Sequence, residues 1–195
     1  MLLRCPPAPG RANGLAADLF KTEQASKRWS IFRCGPESHN LLRFDNAPQL
    51  VEAKAEIRQL PPAAGVPGFL VDLSPVVCGH VARAERRIRL HSDRSVTIAD
   101  EWTTGAKATD VTWQWLTRAQ VTVTNDGAIL RQQGETLRLR ITEGTGARVE
   151  VEDVSKPRRA WDSPNPGLSR ILIYLRTPPE STGRLIVLAE PDSHQ

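Results

Sequence analysis

His39 is the side chain whose setting is best suited to chemistry. It follows Arg28-Trp29-Ser30-Ile31-Phe32-Arg33 and a short turn through Gly35-Pro36, and it lies in the segment Ser38-His39-Asn40-Leu41-Leu42. An imidazole at the start of a strand can ligate a metal or shuttle a proton when a neighbour orients its second nitrogen and other groups converge on it. The alternative is a hydrogen-bonded structural histidine. Cys34 lies five residues before His39, and Cys78 two before His80, so a mixed Cys/His zinc site can be drawn. Structural zinc sites, however, use tighter ligand pairs on turns. Three cysteines without a CxxC pair point to buried thiols rather than a disulfide framework.

Arginine recurs on one side of several segments, at Arg83, Arg87, Arg89, Arg131, Arg138 and Arg140. Guanidinium forks bind carboxylate or sulfate bidentately, and a solvated charged face is the plainer reading of the same pattern. Of the five tryptophans, Trp113 and Trp115 share one strand face and are core candidates, while an exposed one could stack on a sugar ring. No GxSxG, no ordered Ser/His/Asp set and no glycine-rich phosphate loop is present. Basic residues are interleaved with acids and no nucleic-acid-binding motif occurs, so nucleic acid is not an expected partner.

The elements that must position these residues are strands. From Arg28 onward the dominant period is two: Ala82, Ala84, Ile88 and Leu90 alternate with Arg83, Glu85, Arg87 and Arg89, and Leu137, Leu139 and Ile141 alternate with Arg138 and Arg140. Val121 and Val123 lead into Asn125-Asp126-Gly127, a hairpin signal. Residues 171–175 and 185–188 are apolar throughout, as in strands covered on both faces. Further strands are expected over 29–33, 41–44, 51–58, 69–73, 96–99, 111–116 and 149–151. Pro61-Pro62, Pro157, Pro164, Pro166 and Pro178-Pro179 fall between apolar runs. About a dozen strands at this spacing predict an all-β fold, a two-sheet antiparallel β-sandwich of the supersandwich type. Residues 1–17, rich in Pro, Ala, Arg and Gly, are expected to form a loose tail, with a short helical turn over 15–20, ahead of one domain over 18–195.

The chain of 195 residues can bury roughly 70% of its unfolded surface. No apolar run approaches the roughly 20 residues that cross a bilayer, and the Met1-Leu2-Leu3-Arg4-Cys5-Pro6-Pro7 start is too short for a signal peptide, so neither a membrane nor an export route is expected. A net charge of +4 and a pI near 9.3 favour polyanionic partners without choosing among them.

The run from Asp18-Leu19-Phe20 through Arg28-Trp29, Phe32-Arg33 and Ser38-His39-Asn40-Leu41 resembles the heparinase II/III-like polysaccharide lyases. Asp100-Glu101-Trp102, Trp113 to Thr117 and Trp161-Asp162-Ser163-Pro164-Asn165-Pro166 are similar to later landmarks of that family's C-terminal β-sandwich, so the likeness runs over about residues 18–190. The resemblance implies a domain of a bacterial enzyme that cleaves uronate-containing polysaccharides, glycosaminoglycans among them, by β-elimination. An α-helical toroid supplies most of the reacting groups there, and the family is often periplasmic or secreted. It also implies zinc, with His39 matching the last of three ligands. The other two fall where Met1 to Gly14 does not match. The chain is therefore expected to be a truncated or split sandwich, inactive without its toroid, with acidic polysaccharide and a toroid domain as partners. The alternative is a stand-alone acidic-polysaccharide-binding module or a structural interaction domain. The single tyrosine, Tyr174, reads as core rather than as a catalytic acid or base.

Overall fold

The computed structural model describes residues 19–192 except 64 and 78. Its strands are β1 (Leu42–Phe44), β2 (Glu56–Ala63), β3 (Val66–Asp72), β4 (Arg83–Leu90), β5 (Val96–Thr103), β6 (Thr109–Thr117), β7 (Gln120–Thr124), β8 (Gly127–Gln132), β9 (Glu135–Glu143), β10 (Arg148–Asp153), β11 (Ser169–Thr177) and β12 (Thr182–Pro191). They form two antiparallel sheets, one of four strands in the order β1-β6-β11-β10 and one of eight in the order β2-β3-β4-β5-β12-β9-β8-β7. The two apolar segments occupy interior places, β11 in the small sheet and β12 in the large one. No helix among the described residues is long and apolar enough to cross a membrane.

Alternation decides which face is inside. On β6 and β11 the odd positions Val111, Trp113, Ile171, Ile173 and Leu175 are buried against the large sheet. From the large sheet Ala84, Ile98, Trp102, Leu185, Val187 and Leu139 meet them, and Phe44 packs edge-on to Trp102 with ring centres 6.1 Å apart. Each fully buried large side chain contributes on the order of 1.5–3 kcal/mol, so this one seam dominates stability. Four strands do not cover eight. At the β2–β3 end Phe69 shares a face with Ile88 and Ile98, yet Phe69 is exposed and Ile57 beside it is 66% exposed.

Three expectations change. Residues 29–33 form no strand, because Ser26 caps a 3-10 turn over Lys27–Ser30, its Oγ accepting from the Arg28 N–H at 3.1 Å. β2 begins at Glu56 rather than near residue 51, and it runs through Pro61-Pro62, which is tolerated because β2 is an edge strand. Tyr174 lies on the outer face of the small sheet, since it alternates with the inward Ile173 and Leu175. The hairpin forms as expected between β7 and β8, with Gly127 at φ +155° where a Cβ would meet the Leu139 carbonyl oxygen at 2.0 Å. The tail over 1–17, most of the helical turn over 15–20, Cys5 and Cys78 lie outside the described residues.

Candidate functional site

His39 ends a 3-10 turn over Pro36–Ser38 and is in extended conformation, with φ −127° and ψ 154°. Gly35 precedes the turn, and a Cβ there would approach the Trp29 carbonyl oxygen to 2.5 Å, so the two 3-10 turns pack backbone to backbone. The peptide around His39 is held from two sheets. Gln114, buried on β6, donates its Nε2 protons to the Pro36 and His39 carbonyl oxygens. The Asn40 side-chain oxygen accepts from the Leu116 N–H at 2.8 Å, and the Asn40 carbonyl oxygen accepts from Arg86 Nη1 at 3.3 Å. The backbone is fixed while the residue itself is exposed.

Arg86 continues this support into the core. Directly across the β4–β5 ladder it pairs with Asp100, which is 0% exposed. Burial pushes the Asp100 carboxyl above the usual carboxylate range, and the charge and hydrogen bonds of Arg86 oppose that shift.

A cavity of about 360 Å³ beside His39 is lined by Trp29, Cys34, Leu41 and Leu50 among others. His39 and Cys34 both line it. Among the described residues no group of three or more His, Cys, Asp or Glu converges to hold a metal ion. A closed zinc site needs four ligands, so the residues described here do not fit one.

On the other side of the Pro36–Ser38 turn lies a larger cleft of about 1040 Å³, floored by the outer face of the small sheet. Arg43, Thr112, Tyr174 and Arg148 form one row across β1, β6, β11 and β10, and the Arg148 guanidinium stands 4.8 Å from the centre of the Tyr174 ring. Arg170 donates twice to Glu152, at 2.5 and 3.1 Å, and once to the Glu37 carbonyl oxygen at 3.2 Å. Arg158 pairs with Glu37 and Glu152, Arg148 with Glu150, and Arg176 with Asp110. Arg43 and Arg170 are 7% and 6% exposed, and burial lowers the proton affinity of both, with Glu37 acting in the opposite direction. Asp45 and Asn46 sit in left-handed conformation, φ 49° and 56°, and that turn brings the Asn46 carbonyl oxygen within 2.6 Å of Arg43 Nη2.

Of the arginines singled out by pattern, Arg83 and Arg87 pair with Glu85, and Arg140 pairs with Glu190, on the outer face of the large sheet. They line neither cavity. Trp102 and Trp113 are core, Trp115 stacks on Trp113 at 5.9 Å, and Trp161 is exposed. Two landmarks far apart in sequence meet: the Phe32 N–H donates to Asp162 at 2.9 Å, Arg33 Nε to Asn165 Oδ1 at 2.9 Å and Arg33 Nη2 to the Pro164 carbonyl at 2.9 Å. Arg43, Arg170 and Gln114 escape sequence reading, and Tyr174 is misplaced by it.

The architecture is that of known enzymes. Heparan sulfate lyase HepC from Pedobacter heparinus superposes with a TM-score of 0.63 at 13% identity, over 91% of this chain and 28% of that one. A heparinase III structure matches with a TM-score of 0.63 at 11% identity, over 86% of this chain and 25% of that one. A heparinase III gene product with methylated lysines matches with a TM-score of 0.56 at 14% identity, over 80% and 24%. No protein-family model and no curated protein sequence matches significantly. The chain has a heparinase-like β-sandwich fold, and it spans about a quarter of the length of the solved chains it matches.

Proposed function

We propose that this chain is the β-sandwich part of a polysaccharide lyase of the heparinase II/III type and that it works on uronate-containing polysaccharide together with an α-helical domain. The observation that carries this reading is the support of His39 on a heparinase-like fold. Gln114, Arg86 and the Leu116 amide fix its peptide, and the exposed residue lines the smaller cavity. Pre-organisation of this kind costs buried polar groups that a plain surface loop does not need.

In β-elimination a base removes the proton next to the uronate carboxylate, electrons move into the new ring double bond, and the glycosidic oxygen leaves with a proton from an acid. Arginines beside the substrate carboxylate stabilise the charge that develops there. The sandwich contributes His39 and the arginine-bearing face, and the helical domain contributes the remaining acid and base. Zinc held through His39 would need ligands beyond those described here, and no step is routed through it.

The test is an assay of the chain on heparan sulfate and other uronate polymers for unsaturated, ultraviolet-absorbing product, alone and with a purified helical domain of a heparinase-type lyase. Turnover is expected only in the mixture, and His39→Ala should lower it. Turnover by the chain alone would remove the need for a partner, while a mixture without product, under conditions where the two domains associate, would reject the lyase role. The same arginine face also favours a second reading, a binding module for acidic polysaccharide without a lyase partner, which predicts retention on such polymers and no product in either assay.

A further inference from the structure

We infer that the cleft on the small sheet is a seat for a single sugar carboxylate, with Arg43 as its anchor and Tyr174 and Thr112 beside it. The inference rests on the reading above and narrows it to one site and one ligand chemistry. It starts from the charges already described. Arg148, Arg158, Arg170 and Arg176 each have a carboxylate of the same cleft within ion-pair distance. Arg43 has none among the described residues. Its Nη2 is used by the Asn46 carbonyl, its Nε is buried without a hydrogen-bond partner, and the group still lines the cavity.

A buried guanidinium with no carboxylate at ion-pair distance is the less stable arrangement in a medium of low polarity; the longer-range attraction of Glu37 offsets part of that penalty, and Arg170 nearby adds repulsion. An incoming carboxylate would remove both penalties at once. Neutral hydrogen-bonding groups stand in the same row: Thr112 faces Tyr174 across the β6–β11 ladder, and Arg43 faces Thr112 across β1–β6. This is the equipment for one planar anion on a polar ring. Because the other four arginines are satisfied, the cleft has no reserve for a densely sulfated stretch. Selectivity should therefore follow the carboxylate and not total charge.

The experiment titrates the full chain with an unsulfated tetrasaccharide of alternating glucuronate and N-acetylglucosamine, with its carboxyl-reduced counterpart and with a heparin tetrasaccharide. Calorimetry gives affinities, and NMR follows the Arg43 Nε–Hε and His39 ring signals. The unsulfated acid should shift the Arg43 signal, carboxyl reduction should weaken binding at least about tenfold, Arg43→Gln should do the same, and sulfation should add less than about threefold. Unchanged affinity on carboxyl reduction, or a heparin preference well above that, overturns the seat. So does movement of His39 without movement of Arg43, an outcome that leaves the broader reading standing. Silence of both signals with all three sugars rejects the two together. The wild-type NMR readout needs no variant, so a poorly folded Arg43→Gln chain does not block the decision.

Discussion

Both arms of Arg86 hold the buried Asp100 carboxylate, Nε to Oδ1 at 2.7 Å and Nη2 to Oδ2 at 2.9 Å. The pair sits among inward-facing side chains, and its remaining Arg86 nitrogen reaches the Asn40 carbonyl. A core contact is thereby tied to the peptide beside His39.

Removing one member of the pair strands the other. Asp100→Leu should cost about 3–5 kcal/mol in urea unfolding, because the Arg86 charge loses its counter-ion in the interior. Arg86→Met should show a pH signature. The Asp100 carboxyl has its pKa raised by burial. Its stabilising contribution is therefore complete below the unfolded value and is lost as pH rises through the folded one. Deleting Arg86 removes the opposing pull and raises that pKa further. The stability gap between Arg86→Met and wild type should thus widen as pH rises above the usual carboxylate range. A gap that is constant or narrows contradicts the assignment.

Gln114→Ala removes the donor shared by the Pro36 and His39 carbonyls. The expected loss is about 1–2 kcal/mol, with faster amide exchange in residues 37–40. If exchange there stays at the wild-type rate, the peptide is held by other means.

Gly183 lies opposite Trp102, and a Cβ on it would come within 2.3 Å of the indole. Gly183→Ala should destabilise the chain by about 1–3 kcal/mol and alter the near-ultraviolet signal of the buried tryptophans. A variant with wild-type melting and spectrum would mean that the indole moves aside at little cost.

Much of the sandwich is legible in the sequence because alternation is local. β4, β6 and β9 announce themselves through it and β11 and β12 through unbroken apolar runs, whereas β8 does not stand out, since Ala128, Ile129 and Leu130 run together without a polar partner. Residues 29–33 mislead for the opposite reason: Trp29, Ile31 and Phe32 are residue types that favour strands, but the Ser26 cap curls the segment and no strand pairs with it. His39 stands out by its neighbours in sequence. Gln114 acts on backbone 75 and 78 residues away, and Arg43 is isolated by the pairing of other arginines, neither of which periodicity reports. One cue was present. Arg86 and Asp100 both interrupt the inward register, at positions flanked by Ala84 and Ile88 and by Ile98 and Trp102, and opposite charges on two such positions point to a buried pair.

The Pro61-Pro62 step within β2 bears on what can approach that end of the large sheet. Two successive residues without an N–H, followed by a register shift before Ala63, deprive the outermost strand of the donors that another chain would need to continue the ladder. Fibril-like growth by strand addition is discouraged along this half of the border. A neighbouring domain that settles there must be recognised through Ile57, Phe69 and their surroundings, by shape and side-chain chemistry in place of main-chain templating.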